Sequence, residues 1–162
     1  NPSRNMRVAF VGPYMTSGKC LITHKENLAE ADDAEELNIT DMNMVVLKGS
    51  TSEDIVRTLM PNVKLSTVED IDEGVKMVAD DKVGGMMADY PVCLHTVNAN
   101  PDAGFISVFS MLTYEPIGIA LPANDALFMN WTQNFLERLD ETQTLELLAG
   151  KWLGNLMEEA GK

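Results

Sequence analysis

The sequence predicts an α/β fold with a mainly parallel sheet, because strand-like and helix-like segments alternate along most of the chain. Two strand-like runs, 42–47 and 83–88, are continuously apolar, which is typical of strands covered on both faces. Residues that favour helix starts follow each run directly: Gly49-Ser50-Thr51-Ser52 and Asp89-Tyr90-Pro91. Open α/β sheets bind small charged ligands where strands end and helices begin, so we expect a binding site at these two segments.

The composition describes a chain that can bury one ordinary core, with 162 residues of which 45% are apolar. Acidic residues outnumber basic ones by 25 to 12, giving a formal net charge of −13. This charge disfavours nucleic acid and anionic membrane surfaces as partners. No run of about 18 apolar residues is present and no basic-then-apolar leader precedes Arg4, so we expect neither a membrane span nor a signal peptide within the chain. A processed exported protein would look the same.

The strand assignments follow from short apolar runs bounded by turn residues. Strands are predicted at 6–10, 19–23, 42–47, 63–67, 83–88, 105–109 and 116–121. The first two strands flank Gly12-Pro13-Tyr14, and we interpret Ser17-Gly18 as a break between them. The last is interpreted as a strand that returns from the domain.

Helices are predicted where apolar residues recur at helical spacing. They are assigned to 26–37, 52–60, 68–80, 91–98, 126–139 and 142–153. The first is acidic and only loosely periodic, and the second is ended by Pro61. Trp131 and Trp152 lie on the two closing helices and are interpreted as packing residues.

The segment after residue 47 has two interpretations. Gly49 allows a tight turn, and a hydroxyl of Ser50, Thr51 or Ser52 can cap the following helix while its free N–H groups face outward to hold an anion. Alternatively, Ser52 caps the helix and Glu53 complements the helix dipole, with no ligand involved.

Asp89 is ambiguous in the same way. Its carboxylate, at the carboxyl end of a strand, can hold an ammonium group. An aspartate before Tyr90-Pro91 is also a good helix cap, and capping is the favoured interpretation of this residue taken alone.

Metal binding is a weak interpretation of the cysteines and histidines. Cys20 and Cys93 can form a disulfide in an oxidising compartment or remain buried thiols. Together with His24 and His95 they have the elements of a zinc site, but Cys93 and His95 would point to different faces of a helix. The scattered methionines are interpreted as core residues that fill gaps. No metal and no cofactor are expected.

Taken together, the segments resemble a known family. The motifs that carry the resemblance are Asn1-Pro2-Ser3-Arg4, Phe10-Val11-Gly12-Pro13-Tyr14, Gly49-Ser50-Thr51-Ser52-Glu53, Lys82-Val83-Gly84-Gly85-Met86-Met87-Ala88-Asp89-Tyr90-Pro91, Glu115-Pro116-Ile117-Gly118-Ile119-Ala120 and Lys151-Trp152-Leu153-Gly154. In this order they are similar to family 3 extracellular solute-binding proteins, the amino-acid-binding components of ABC transporters. That family is similar in fold to the ligand-binding domains of ionotropic glutamate receptors.

The resemblance implies a periplasmic-binding-protein type II-like fold from which most of the N-terminal lobe is missing. Residues 1–17 would be the end of the first lobe and an outgoing hinge strand, and 18–113 a complete second α/β lobe. Residues 114–162 would be a return hinge strand and C-terminal helices that belong to the first lobe. The uncovered apolar faces of those helices would favour dimerisation, segment exchange or cover by another chain.

The resemblance also implies a ligand site for an amino-acid zwitterion. Arg4 matches the arginine that pairs with the ligand α-carboxylate, which a guanidinium can hold by two parallel hydrogen bonds. Ser50 and Thr51 match the helix-start positions that bind a carboxylate or polar group, and Asp89 matches the acidic residue that binds the α-ammonium. The sequence departs from the commoner family pattern at Val11-Gly12 and at Gly84-Gly85, which leaves the subgroup open.

The function implied is binding of an amino acid, without chemistry, for uptake through an ABC permease. The protein would then be periplasmic or extracellular. One alternative is a ligand-sensing domain of a membrane receptor or kinase. Another is an enzyme similar to cyclohexadienyl dehydratases, in which Glu53 or Glu115 would have to donate the proton.

Overall fold

Residues 2–31, 35–107 and 112–153 are described by the computed structural model, and the chain divides into two units. The central unit is Ser17–Tyr114. The terminal unit joins Asn1–Thr16 to Glu115–Lys162.

The order of helices and strands follows the alternation predicted from the sequence. The strands are β1 Ala9–Ser17, β2 Lys19–Thr23, β3 Asn43–Leu47, β4 Lys64–Val68, β5 Gly85–Asp89, β6 Ile106–Ser107 and β7 Glu115–Leu121. The helices are α1 Pro2–Asn5, α2 Glu26–Ala29, α3 Thr51–Leu59, α4 Ile71–Ala79, α5 Tyr90–Ala99, α6 Ala126–Glu141 and α7 Thr144–Leu153.

The central unit contains a mixed sheet, which has five strands within the described residues, in the order β4-β3-β5-β2-β6. β3 pairs in parallel with β4 and with β5, and the crossovers through α3 and α4 account for this direction. β2 pairs antiparallel with β5 and with β6. The α/β class is therefore confirmed, but the reversed β2 makes its two pairings, with β5 and with β6, antiparallel. Alternation along the chain does not specify the direction of a strand whose sequence neighbour lies elsewhere in the sheet.

Two predicted elements differ from the structure. The predicted strand 6–10 is observed as β1, which begins at Ala9 and runs on through Gly12-Pro13 to Ser17. Because β1 has only β7 beside it in the described sheet, a proline without an N–H fits on its open side. The predicted helix 26–37 shortens to α2, and Glu26 and Glu30, four residues apart with like charges, do not support a longer helix. Residues 32–34, and 108–109 of the predicted strand 105–109, lie outside the described residues.

Local sequence explains where several helices begin. The Ser50 hydroxyl accepts a hydrogen bond from the Glu53 N–H at 3.3 Å and caps α3. The carboxylates of Asp70 and Asp125 cap α4 and α6 in the same manner, accepting backbone N–H groups at 2.7 and 2.9 Å. Helix α3 ends at Leu59, two residues before the proline that was predicted to stop it.

Glu53 closes the turn that precedes α3. Its carboxylate accepts a hydrogen bond from the Gly49 N–H at 2.8 Å and two from the Arg57 guanidinium at 2.8 and 3.0 Å. The Gly49 N–H above all, and Arg57 next, hold the pKa of the Glu53 carboxyl below its ordinary value of 4.5. The fold therefore favours the charged form of this side chain.

The core of the central unit is rich in methionine, as expected from the composition. Met42, Met44, Met60 and Met87 are buried in it together with aliphatic residues of the sheet and helices. An unbranched, polarisable side chain fills irregular gaps between a sheet and its helices.

A disulfide joins Cys20 on β2 to Cys93 on α5. The sequence did not decide whether the two cysteines are bonded or free. The structure shows that they are bonded, although they lie 73 positions apart in the chain. Both cysteines are buried, so the bond fixes α5 against β2 of the central sheet.

The terminal unit has a smaller core. β1 and β7 form a two-stranded sheet in the described residues, and α6 packs against it. Val11, Leu121 and Leu136 are its buried centre.

We expect that the Cys20→Ala/Cys93→Ala variant will be less stable than the wild-type chain by about 2–4 kcal/mol, because the unfolded chain loses its cross-link. Urea denaturation measures the difference. Wild-type protein in dithiothreitol is the control and should approach the variant. Equal stabilities of all three samples would contradict a structural role for the bond.

We also expect acid to weaken the start of α3. A carboxyl whose pKa is lower in the folded than in the unfolded chain adds stability above the unfolded value, and that stability is lost as the pH falls through the folded value. The wild-type protein should therefore exceed Glu53→Gln in stability at neutral pH, and the gap should close below about pH 4.5. Urea midpoints between pH 7 and 3 test this, and a gap independent of pH would be the contrary result.

Candidate functional site

Three segments meet at one edge of the central sheet. Because β3 and β5 run parallel, with Met44 opposite Gly85, the residues that follow both strands lie at the same edge. β2 runs antiparallel to β5 with Lys19 opposite Asp89, so β2 begins where β5 ends. The register thus brings Lys19 beside the two segments predicted to form a binding site.

The Lys19 side chain links these segments. Its Nζ donates a hydrogen bond to Thr51 Oγ1 at 2.6 Å and another to Asp89 Oδ1, with which it forms an ion pair. The lysine side chain is only 1% exposed. A buried ammonium needs a counter-ion and acceptors of this kind to remain charged at low cost.

The backbone around Lys19 is also held on both sides. The Lys19 N–H donates to Thr113 Oγ1 at 3.0 Å, and its carbonyl accepts the Leu112 N–H at 2.9 Å. The neighbouring Gly18 carbonyl accepts the Tyr90 N–H at 2.9 Å. The position of the ammonium is therefore set by the sheet and its flanking loops as well as by its side-chain partners.

Asp89 is half open to solvent, with 57% of its side chain exposed. It stands at the N-cap position of α5, yet its side chain makes no capping hydrogen bond within the part of the chain that the structure describes. The capping interpretation favoured for this residue alone is therefore wrong. The carboxylate turns to Lys19 instead, because a bond between two charged groups is stronger than one to a backbone N–H.

Ser50 and Thr51 have separate roles in the structure. Ser50 caps α3, whereas Thr51 accepts a hydrogen bond from the Lys19 ammonium. Ser52, the cap in the purely structural interpretation, is buried within the helix, so that assignment is wrong. The Glu53 carboxylate binds the Gly49 N–H in the preceding turn, so the protein supplies its own anion beside this helix start. Ligand binding by Ser50 and Thr51 stays a prediction.

Arg4 lies at the end of α1 in the terminal unit, whereas Ser50, Thr51 and Asp89 belong to the central unit. Its carbonyl accepts the N–H groups of Arg7 and Val8 at 3.0 and 3.2 Å. Its expected contact with a ligand carboxylate stays a prediction.

Cys20, Cys93 and His24, three of the residues considered for zinc, make other contacts in the structure. Cys20 and Cys93 are bonded to each other, and His24 stacks on Phe105 with ring centroids 5.0 Å apart. Among the described residues, no group of three or more histidine, cysteine, aspartate or glutamate side chains could hold a metal ion. Within the same residues, no helix combines the length and apolar character needed to cross a membrane.

Sequence reasoning missed Lys19. A lysine at the edge of an apolar strand is normally a solvated end residue, and nothing in its neighbours Ser17-Gly18 suggests otherwise. The only available signal was that this strand and the strand ending at Asp89 could pair antiparallel, which would place opposite charges together.

The terminal unit exposes an aromatic row on α6. Phe128, Trp131 and Phe135 stack at successive helical positions, with centroid separations of 6.2 and 5.3 Å. Trp131 is 60% exposed and Trp152 on α7 is 74% exposed, so the interpretation of both as packing residues is wrong for the described unit. Met129, Leu136 and Leu139 face the sheet instead. Dimerisation or segment exchange through this surface stays a prediction.

No protein-family model matches the chain, and no curated protein matches it. Solved structures do match. The ancestral amino acid-binding protein AncCDT-1, described as a precursor of cyclohexadienyl dehydratase, is 30% identical with a TM-score of 0.79. A Wolinella succinogenes protein assigned as the binding component of an ABC transporter, solved with lysine, is 27% identical with a TM-score of 0.86.

The ligand-binding core of GluR0, solved with L-glutamate, is similar in fold alone, at 18% identity and a TM-score of 0.83. The three similarities cover 94%, 94% and 95% of this chain, and 64%, 66% and 68% of the respective solved chains. The fold class and the resemblance predicted from the sequence are confirmed: this chain has the type II periplasmic-binding-protein fold of the family 3 amino-acid solute-binding proteins and spans about two thirds of their length.

Proposed function

We propose that this chain is the larger part of a solute-binding protein that holds an amino acid by its ammonium group at Asp89. The observation that carries the proposal is the exposed Asp89 carboxylate at the end of β5, fixed in place by the buried Lys19. A carboxylate oriented in advance binds an ammonium at a smaller entropy cost than a mobile one.

The ligand contacts would be those implied by the family resemblance. Asp89 accepts the ligand ammonium, Ser50 and Thr51 contribute polar contacts at the start of α3, and Arg4 takes the α-carboxylate. The similarity to solved proteins described as binding lysine, arginine or cysteine supports an amino acid as the ligand.

Uptake through an ABC permease is the proposed context, with hinge closure on the ligand as the mechanism. A disulfide between Cys20 and Cys93 suits an oxidising compartment, which supports a periplasmic or extracellular location. A sensor domain of the same fold is the second candidate, supported by the similarity in fold to the GluR0 ligand-binding core.

An enzymatic function has less support. A general acid needs a pKa raised towards the working pH, whereas the Gly49 N–H and Arg57 lower the pKa of Glu53. Glu115, the other candidate acid, begins β7 in the terminal unit.

Titration of the chain with the twenty amino acids, followed by ¹⁵N NMR, tests the proposal. We expect binding in the weak range that NMR detects, because the chain spans only about two thirds of the related proteins. Asp89→Asn should weaken it about ten- to hundredfold, the effect of losing one hydrogen bond to a charged group. Thr51→Ala should weaken amino-acid binding less than Asp89→Asn does. Part of the effect of Thr51 is indirect, through its hydrogen bond with Lys19.

Asp102→Asn is the matched control, because it removes one exposed carboxylate from the 3₁₀ turn Pro101–Ala103 of the same unit. Its affinity should equal that of the wild-type chain. Micromolar binding by a strict monomer would contradict the expected weakness. A complete lack of amino-acid binding, or an equal loss in Asp102→Asn and Asp89→Asn, would contradict the proposed site.

A further inference from the structure

Lys19 and Asp89 differ sharply in their access to solvent. The lysine side chain is 1% exposed and the aspartate side chain 57% exposed, although the two form an ion pair. A ligand can therefore contact the Asp89 carboxylate directly. The buried Lys19 ammonium acts on the ligand only through its electric field.

The pair is electrically neutral as a whole. An isolated aspartate at a strand end would attract any cation, and most strongly a ligand that carries more than one positive charge. The ammonium of Lys19, bonded to one carboxylate oxygen, cancels most of that attraction. What remains for a ligand is a directional hydrogen-bond acceptor with little net charge behind it.

Two further ion pairs lie at the ends of neighbouring elements. Glu53, at the start of α3, is paired with Arg57, and Lys48 at the end of β3 is paired with Glu69. The charges within each of these two pairs offset each other.

The ammonium is not free to leave this position. It contacts Thr51 as well as Asp89, and the Lys19 backbone is held by Thr113 and Leu112. A ligand cation could displace it only by leaving a buried lysine without its counter-ion, which is costly.

We propose that Lys19 is a positioning residue that weakens the preference of the site for amino acids with cationic side chains, because its ammonium offsets the charge of the Asp89 carboxylate. This inference rests on the function proposed above and deepens it. Lys19 acts through Asp89 and through its own field, without contacting the ligand.

The test compares the affinities of arginine, glutamine and glutamate for four forms of the full chain at low salt, measured by ¹⁵N NMR titration. The net charge of the pair is zero in the wild type, −1 in Lys19→Met, +1 in Asp89→Asn, and zero again in the double variant. Lys19→Met should raise the affinity for arginine relative to glutamine roughly five- to tenfold and lower that for glutamate.

Asp89→Asn should shift both ratios in the opposite direction, and the double variant should return them towards the wild-type values. A merely structural role of Lys19 would change all three affinities together, without this reversal of sign. Lys64→Met is the matched control, because it removes a lysine that is 71% exposed on β4 of the same unit. It should leave both ratios unchanged.

Affinity ratios that do not follow the charge of the pair would overturn the inference. If Lys19→Met does not fold, the exposed Asp89→Asn substitution still tests the predicted sign. Failure of the proposed function has a different signature, since then neither the wild type nor any variant binds any of the three amino acids.

Discussion

The edge of the central sheet depends on one ion pair. Lys19 is almost completely buried, and its ammonium is satisfied by Asp89 and Thr51, so the starts of β2, α3 and α5 are held together by a single side chain. Removing either charged partner would leave the other uncompensated, which is why such pairs hold their surroundings to one arrangement. The exposed carboxylate is then rigid enough to serve as a binding group.

A second constraint acts between the same elements. The Cys20–Cys93 disulfide ties β2 to α5 one residue beyond Lys19 and four beyond Asp89. The ion pair fixes the open end of these elements and the covalent bond fixes their buried side. The ion pair and the disulfide thus connect β2 to the end of β5 and to α5 within the central unit.

The terminal unit is organised differently. Its core is small, centred on Val11, Leu121 and Leu136, and α6 is apolar on two sides. One side covers the two-stranded sheet, while the stacked row of Phe128, Trp131 and Phe135 stays exposed. An aromatic row of this size on a short unit is unusual for a surface in contact with water. The chain spans 64% and 66% of two solved chains of this fold.

The sequence by itself determined the α/β class, the order of the elements and the two segments after β3 and β5, because hydrophobic periodicity and helix-start residues are local properties. Through the family resemblance it also led to the prediction that Asp89 and Thr51 contact the ligand. Only the tertiary structure decided that Cys20 bonds to Cys93, that Asp89 does not cap α5, and that Lys19 joins Asp89 to Thr51. These outcomes depend on the antiparallel register of β2 against β5, a contact between residues about 70 positions apart that no local pattern encodes.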